Sequence, residues 1–315
     1  KGEQIKGIGE WIMRNAEIPV AEYRSYAKQF NPVKYRPQQW AKLAKEAGMR
    51  YMVITSKHHD GFALFPSQVT DWDVSNATPY GKDLIGPLAK AARKEGLKFG
   101  LYYSQAQDWT HPGGAKARIQ EGEFWDQAHK GSFDEYLQTI AVPQTREILN
   151  TYQPDILWWD TPAWMTLERA APLHALLSLR PGIITNNRLG GGYKGDTDTP
   201  EQYIPATGIP GRDWEVCMTM NDTWGYKSYD LNWKSTEDLI HKLVDIVSKV
   251  GNFVLNFGPP AEGEIPQASV DRLKAIGAWM KVNHEASYGT TASPFHKLFW
   301  GRSTKKIDRD DVTLY

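Results

Sequence analysis

Cysteine is almost missing from this 315-residue chain, and Cys217 stands alone. No intrachain disulfide can form, and a thiolate-rich zinc site is excluded. A lone thiol is more often a buried packing residue than a nucleophile. Net charge is missing too. Lys and Arg number 37, as do Asp and Glu, so no electrostatic footprint points to nucleic acid or an anionic membrane. No apolar run approaches the ~18 residues of a membrane span. The opening KGEQIKGIGEW has no apolar signal-peptide core. The usual catalytic and phosphate loops are also absent. There is no Walker A loop, GxSxG elbow, HxH or HExxH, and LGGGYKG at 189–195 lacks the context of a phosphate loop.

What is abundant is aromatic: 13 Trp, 15 Tyr and 10 Phe. Several tryptophans stand beside acids, in EW at 10–11, WWD at 158–160 and DWE at 213–215. An aromatic face next to a carboxylate suits a sugar, whose C–H face stacks while its hydroxyls find polar partners. Tryptophan also fills cores, so this pattern alone does not decide.

Short apolar runs alternate with helical patterns. RPQQWAKLAKEAG carries Trp40, Leu43 and Ala44 at helical spacing and stops on Gly48. MRYMVITS then reads as a strand, DLIGPLAKAARKEG as a helix and LKFGLYYS as a strand. FDEYLQTIAVPQTREILNTY predicts a long helix broken near Pro143. PDILWWD and GIITNNR read as strands around the helix LERAAPLHALLSLRP. The strand WEVCMT, the helix STEDLIHKLVDIVSKVG, the strand NFVLNFGPP and the helix QASVDRLKAIGAWMKVN follow. Alternation of this kind predicts a parallel sheet with helical crossovers. Chemically active residues fall at several strand ends: His58 and His59, Tyr102 and Tyr103, Asp160, Arg188 and Glu215. That favours a (β/α)8-like barrel of the TIM type over a doubly wound sheet, which gathers ligands at one switch point. The tail from 291 has no helical period and predicts a strand or two outside the barrel.

Each candidate has an ordinary alternative. Asp160 closes an apolar strand between Trp159 and Thr161, aimed at the barrel mouth or serving as a helix cap. Glu201 lies in the polar loop DTDTPEQYIP, and Glu215 follows Trp214 at a strand start. A glycosidase needs two carboxyl groups across the bond it breaks. An apolar wall would raise Glu215 toward the range of a general acid; the alternative is an ion pair with Arg188 or Arg212. His58 and His59 predict neutral rings donating to hydroxyls, packed histidines, or metal ligands with Asp60. Arg188 offers a fork of donors to a hydroxyl pair or a carboxylate.

Together, GIGEWIMRN, YMVITSKHHDGF, FGLYYS, DILWWDTP, NNR, TPEQYIP, WEVCMTMNDTWGY and NFVLNFGPP resemble the α-L-fucosidases of glycoside hydrolase family 29, in family order over nearly the whole chain. The resemblance implies a barrel followed by a β-sandwich, and hydrolysis of terminal α-L-fucose from fucosylated glycans with retention. It implies no metal and no cofactor, and favours a secreted or periplasmic location. By motif, Asp160 matches the nucleophile. His58, His59, Glu10, Trp11, Tyr102, Trp158, Arg188 and Trp224 match residues of the fucose pocket, with Asp60 orienting a histidine ring. The acid/base position varies in the family, and both Glu201 and Glu215 fit, Glu201 first. Family members begin with a strand carrying an HWG-like segment, and nothing like it precedes KGEQIKGIGEW. The expected architecture is therefore a barrel over 1–290 lacking its first strand, with 291–315 the start of a β-sandwich. A retaining enzyme for another sugar, a fucose-binding protein without turnover, and a metal hydrolase built on His58, His59 and Asp60 are the competing readings. Oligomeric state and linkage specificity are not legible.

Overall fold

The computed structural model describes residues 4–295, 298–309 and 311–315. Strands β1 (Tyr51–Lys57), β2 (Lys98–Tyr103), β3 (Ile156–Trp159) and β4 (Ile184–Thr185) pair in that order, all parallel. Strands β5 (Thr197–Asp198), β6 (Asp213–Thr219) and β7 (Asn252–Asn256) form a second parallel set. A parallel bridge from Asn186 to Thr197 carries the ladder from β4 to β5. The strands thus follow one another in space in chain order. The α/β class and the parallel pairing agree with the sequence reading.

Helices α1 (Pro37–Glu46), α2 (Ile85–Lys94), α3 (Val142–Tyr152), α4 (Leu167–Ala175), α5 (Thr236–Val247) and α6 (Gln267–Asn283) form the crossovers and flanks. Their starts are written locally. Pro37 opens α1 at its first turn, where no amide hydrogen is needed. The Asp83 carboxylate accepts from the amides of Ile85 and Gly86 at the start of α2. Ser235 caps α5 through the amide of Asp238. Ile85, Leu88, Ala89 and Ala92 of α2 pack with Phe99, Leu101 and Leu157 of the sheet in the main core.

Two expectations need correction. The chain does not break near Pro143. Phe133–Tyr136 is α-helical, Leu137–Ala141 winds as a π-helix, and α3 continues from Val142 with Pro143 in its first turn. The wider turn absorbs the hydrogen bond that proline cannot donate. Strand β4 is only two residues long, and β5 lies in what read as loop. The paired strands do not close into a ring: among the described residues β1 and β7 are both sheet edges, and no strand is described before β1. Between them lies a cavity of about 700 Å³ lined by β1 residues 51–55, β7 residues 252–256 and apolar side chains of α1, α5 and α6.

Two clasps span this gap. On the outside α6 packs on α1, where Gly277 lies so close that a Cβ would come within 2.3 Å of the Glu46 carbonyl oxygen. At the strands' carboxyl end, residues 9–11 cross it. The Glu10 carboxylate accepts from the amides of Trp224 and Gly225, and Trp11 meets His59 edge-on. Where a sandwich was expected to begin, the described residues form one antiparallel pair, β8 (Lys305–Asp308) with β9 (Asp311–Leu314). It is tied to α5 by the Arg302–Asp245 ion pair.

Candidate active site

The site is assembled at the carboxyl ends of the strands. β1 ends in a register irregularity between Thr55 and Lys57, a device that re-aims the side chains that follow. Lys57 turns inward and is fully buried, donating to Asp108 Oδ2 at 2.9 Å and to the Tyr136 hydroxyl at 2.7 Å. Asp108 also accepts from the amides of Thr110 and His111 and pairs with His111 Nδ1. Burial works against the Asp108 charge, but the His111 and Lys57 charges and these donors hold its carboxyl well below the usual range. This buried knot fixes the 104–116 loop under the two histidines.

His59 is 2% exposed and lies against that loop. The Trp109 N–H donates to the His59 carbonyl. Its Nδ1 lies 2.7 Å from Ser104 Oγ, and its Nε2 lies 3.8 Å from Asp160 Oδ2. Burial, then the nearby His58 and Lys57 charges, push its pKa well below the ordinary histidine value. His58 stacks on Tyr102 with ring centres 5.6 Å apart, and burial lowers it as well. Asp60 does not orient either ring through a hydrogen bond. Its oxygens take the Tyr23 hydroxyl and the Phe62 amide, and it acts on His58 through charge. Ser104 has the orienting place assigned to Asp60 from the sequence. Among the described residues no group of three His, Cys, Asp or Glu side chains is placed to hold a metal ion.

Asp160 follows β3, and the next residue, Thr161, turns the chain with φ at 43°, a conformation that a β-branched residue rarely adopts. The Gln105 side chain pins the turn. Its Oε1 accepts from the Asp160 amide while its Nε2 donates to the carbonyls of Arg188 and Leu189. Asp160 Oδ2 accepts from the Tyr102 hydroxyl at 2.6 Å, and Oδ1 from Arg188 Nη1 at 2.8 Å. The same Nη1 also pairs with Glu201 Oε2 at 2.9 Å. Those two carboxylate oxygens therefore lie no farther apart than these two contacts laid end to end. That is close to the ~5–5.5 Å of retaining glycosidases and short of the ~6.5–9.5 Å of inverting ones. Arg188 is itself fixed by Thr199, through Nε to the hydroxyl and Nη2 to the carbonyl, and lies 4.7 Å from the Trp158 ring centre. Burial opposes its charge, but Asp160 leads the groups that outweigh burial and hold it protonated.

The two glutamates part company. Glu201 is 42% exposed on its side chain, at the mouth. Glu215 is buried, facing inward on β6 with Cys217 and Thr219, and both its oxygens are occupied. Trp158 Nε1 donates to Oε1 at 2.6 Å and the Tyr51 hydroxyl to Oε2 at 2.8 Å. Burial raises its pKa, as the sequence suggested, against the pull of those donors. The ion pair foreseen as its alternative is not the contact it makes; Arg212 pairs with Asp198 instead. Cys217 is buried, with its thiol pushed up to about 12 by burial, which leaves it inert.

The residues picked from the sequence form one connected set. Glu10 holds Trp224, Trp11 meets His59, His58 stacks on Tyr102, and Tyr102 and Arg188 hold Asp160. Trp158 links Tyr102 and Arg188 to Glu215, and Arg188 reaches Glu201. The reading missed Tyr51, Ser104, Gln105 and Asp108. The polar run SQAQD directly after β2 was the available signal.

The chain has relatives among known proteins. Residues 3–285 match the family model described as Alpha-L-fucosidase. The tissue alpha-L-fucosidase of Rattus norvegicus is 31% identical over 308 residues, covering 92% of this chain and 63% of that protein. The chain thus spans less than two thirds of such relatives' length. Among solved structures, alpha-L-fucosidase isoenzyme 1 from Paenibacillus thiaminolyticus superposes with a TM-score of 0.85 at 39% identity, over 95% of this chain and 76% of that one. Alpha-L-fucosidase AlfC from Lactobacillus casei, in complex with alpha-L-fucose product, gives a TM-score of 0.82 at 34% identity, over 90% and 91% of the two chains. The chain belongs to the alpha-L-fucosidase family.

Proposed function

We propose that the site releases terminal α-L-fucose from fucosylated glycans by a retaining double displacement. The observation that carries this reading is the single guanidinium nitrogen of Arg188 shared by Asp160 and Glu201. An Asp160 oxygen attacks the anomeric carbon. The bond from that carbon to the leaving oxygen breaks, and Glu201 in its protonated form gives its proton to that oxygen. Glu201 then takes a proton from water, whose oxygen attacks the anomeric carbon and frees Asp160. Glu215 buttresses Trp158 rather than transferring protons, because both its oxygens already accept hydrogen bonds beneath that ring. Glu10, Trp11, His58, His59, Tyr102, Trp158, Arg188 and Trp224 form the sugar pocket, and the aromatic walls accommodate the C6 methyl. The sequential strand order supports a barrel for 1–290, with 291–315 beginning an appended β domain.

The test uses 4-nitrophenyl α-L-fucoside. Asp160→Ala lowers turnover by at least about a thousandfold. Glu201→Ala spares substrates with good leaving groups far more than natural ones, and azide restores its second step. Turnover by Asp160→Ala within tenfold of the parent removes the nucleophile assignment. Azide rescue of Glu215→Ala and not of Glu201→Ala reverses the two glutamates.

A further inference from the structure

We infer that Ser104 is a positioning residue that locks His59 as a hydrogen-bond acceptor toward the substrate, in a relay running from the Gln107 carbonyl through Ser104 Oγ and His59 to the space beside Asp160. The argument is a count of hydrogens. Ser104 Oγ lies 2.8 Å from the Gln107 carbonyl oxygen, which can only accept. The single hydroxyl hydrogen of Ser104 is therefore spent there. Ser104 Oγ also lies 2.7 Å from His59 Nδ1, and with its hydrogen committed it must accept from that nitrogen. Nδ1 accordingly carries hydrogen. In the neutral ring, Nε2 then carries a bare lone pair.

The neutral form is the one the surroundings favour. His59 is buried, with His58 and Lys57 nearby as positive or potentially positive neighbours, and Asp108 as the opposing charge. Its Nε2 faces Asp160 Oδ2 at 3.8 Å, too far for a direct hydrogen bond. Two acceptors thus face one another across a gap that calls for a donor. On a pyranose whose anomeric carbon meets Asp160, the nearest donor is the hydroxyl on the adjacent ring carbon. The sequence suggested histidines donating to hydroxyls; at His59 the direction is reversed. A hydrogen bond at that hydroxyl strengthens as charge develops on the ring, so the relay acts on turnover more than on binding. This half of the inference rests on the fucoside-cleaving reading. The tautomer itself does not.

The experiment has two arms. The parent chain, labelled with 15N-histidine, is examined by NMR at neutral pH, and the His59 signal is identified by its loss in His59→Gln. The expected result is a protonated Nδ1 and a bare Nε2. A protonated Nε2, alone or with Nδ1, overturns the inference. In the second arm, Ser104→Ala is compared with the parent on 4-nitrophenyl α-L-fucoside and its 2-deoxy analogue. The variant loses about tenfold in kcat on the first with KM within about threefold, and nearly nothing on the analogue. Equal losses on both substrates overturn the positioning role. An inactive parent with protonated Nδ1 counts against fucoside cleavage and supports the relay.

Discussion

At the scale of residues, the costliest commitment is the fully buried Lys57–Asp108 pair. Each charge is tolerable only because the other is there. Removing one leaves an uncompensated charge in a dry site, which costs about 3–5 kcal/mol. Asp108→Ala and Lys57→Met are each expected to lower the unfolding free energy obtained from urea titration by that order. The double replacement Lys57→Met with Asp108→Leu should cost less than their sum, and strict additivity would show that the pair is not coupled. The pH dependence follows from the depressed Asp108 carboxyl. Its contribution is present above the unfolded value of ~3.9 and is lost as pH falls through the lower folded value. The acid limb of the stability curve should therefore be shallower in Asp108→Asn. Asp160, His58, His59 and Arg188 were legible because each ends an apolar run, and strand ends in such folds host chemistry. Ser104, Gln105 and Asp108 were not. They act by holding other site residues, and a holding role has no spacing rule: Gln105 binds the Asp160 amide 55 positions away.

At the scale of elements, the sheet depends on a gap in its own side-chain pattern. Gly100 sits mid-strand in β2, and a Cβ there would come within 2.9 Å of both Ile156 on β3 and Val53 on β1. Its backbone is ordinary, so the constraint is space alone. Gly100→Val should wedge three strands and cost about 1–3 kcal/mol, read as a lowered thermal midpoint. A midpoint unchanged from the parent would mean that the neighbours yield. Strands β1, β2, β3, β6 and β7 were readable because apolar runs bounded by turn residues are a strong signal. β4 was read in GIITNNR, though it pairs over only two residues, and β5 was not read, since a two-residue strand follows from its neighbours' register rather than from its own composition. Pro143 misled because proline forbids one hydrogen bond, not a helix, and the π turn ahead of it supplies the slack.

At the scale of the whole molecule, the cavity between β1 and β7 is lined mostly by apolar side chains and flanked by two sheet edges. Exposed edges of this kind pair with other chains. This chain should bind a hydrophobic dye saturably below its unfolding transition, and its light-scattering mass should rise with concentration. A dye-silent chain of constant mass would mean that the walls close on one another. The same cavity explains why ring closure was not legible in full: it depends on what lies between two edges, and a sequence reports edges only through what pairs with them. In mechanical terms the molecule is a split ring held by two clips at different places, the Gly277 contact on the outer wall and the Glu10 contact at the rim. Two clips fix both the width and the tilt of a split. The jaws that carry His59 and Trp224 are therefore registered to one another by the rim clip itself, and the alignment of the rim does not have to wait on the filling of the slot below it.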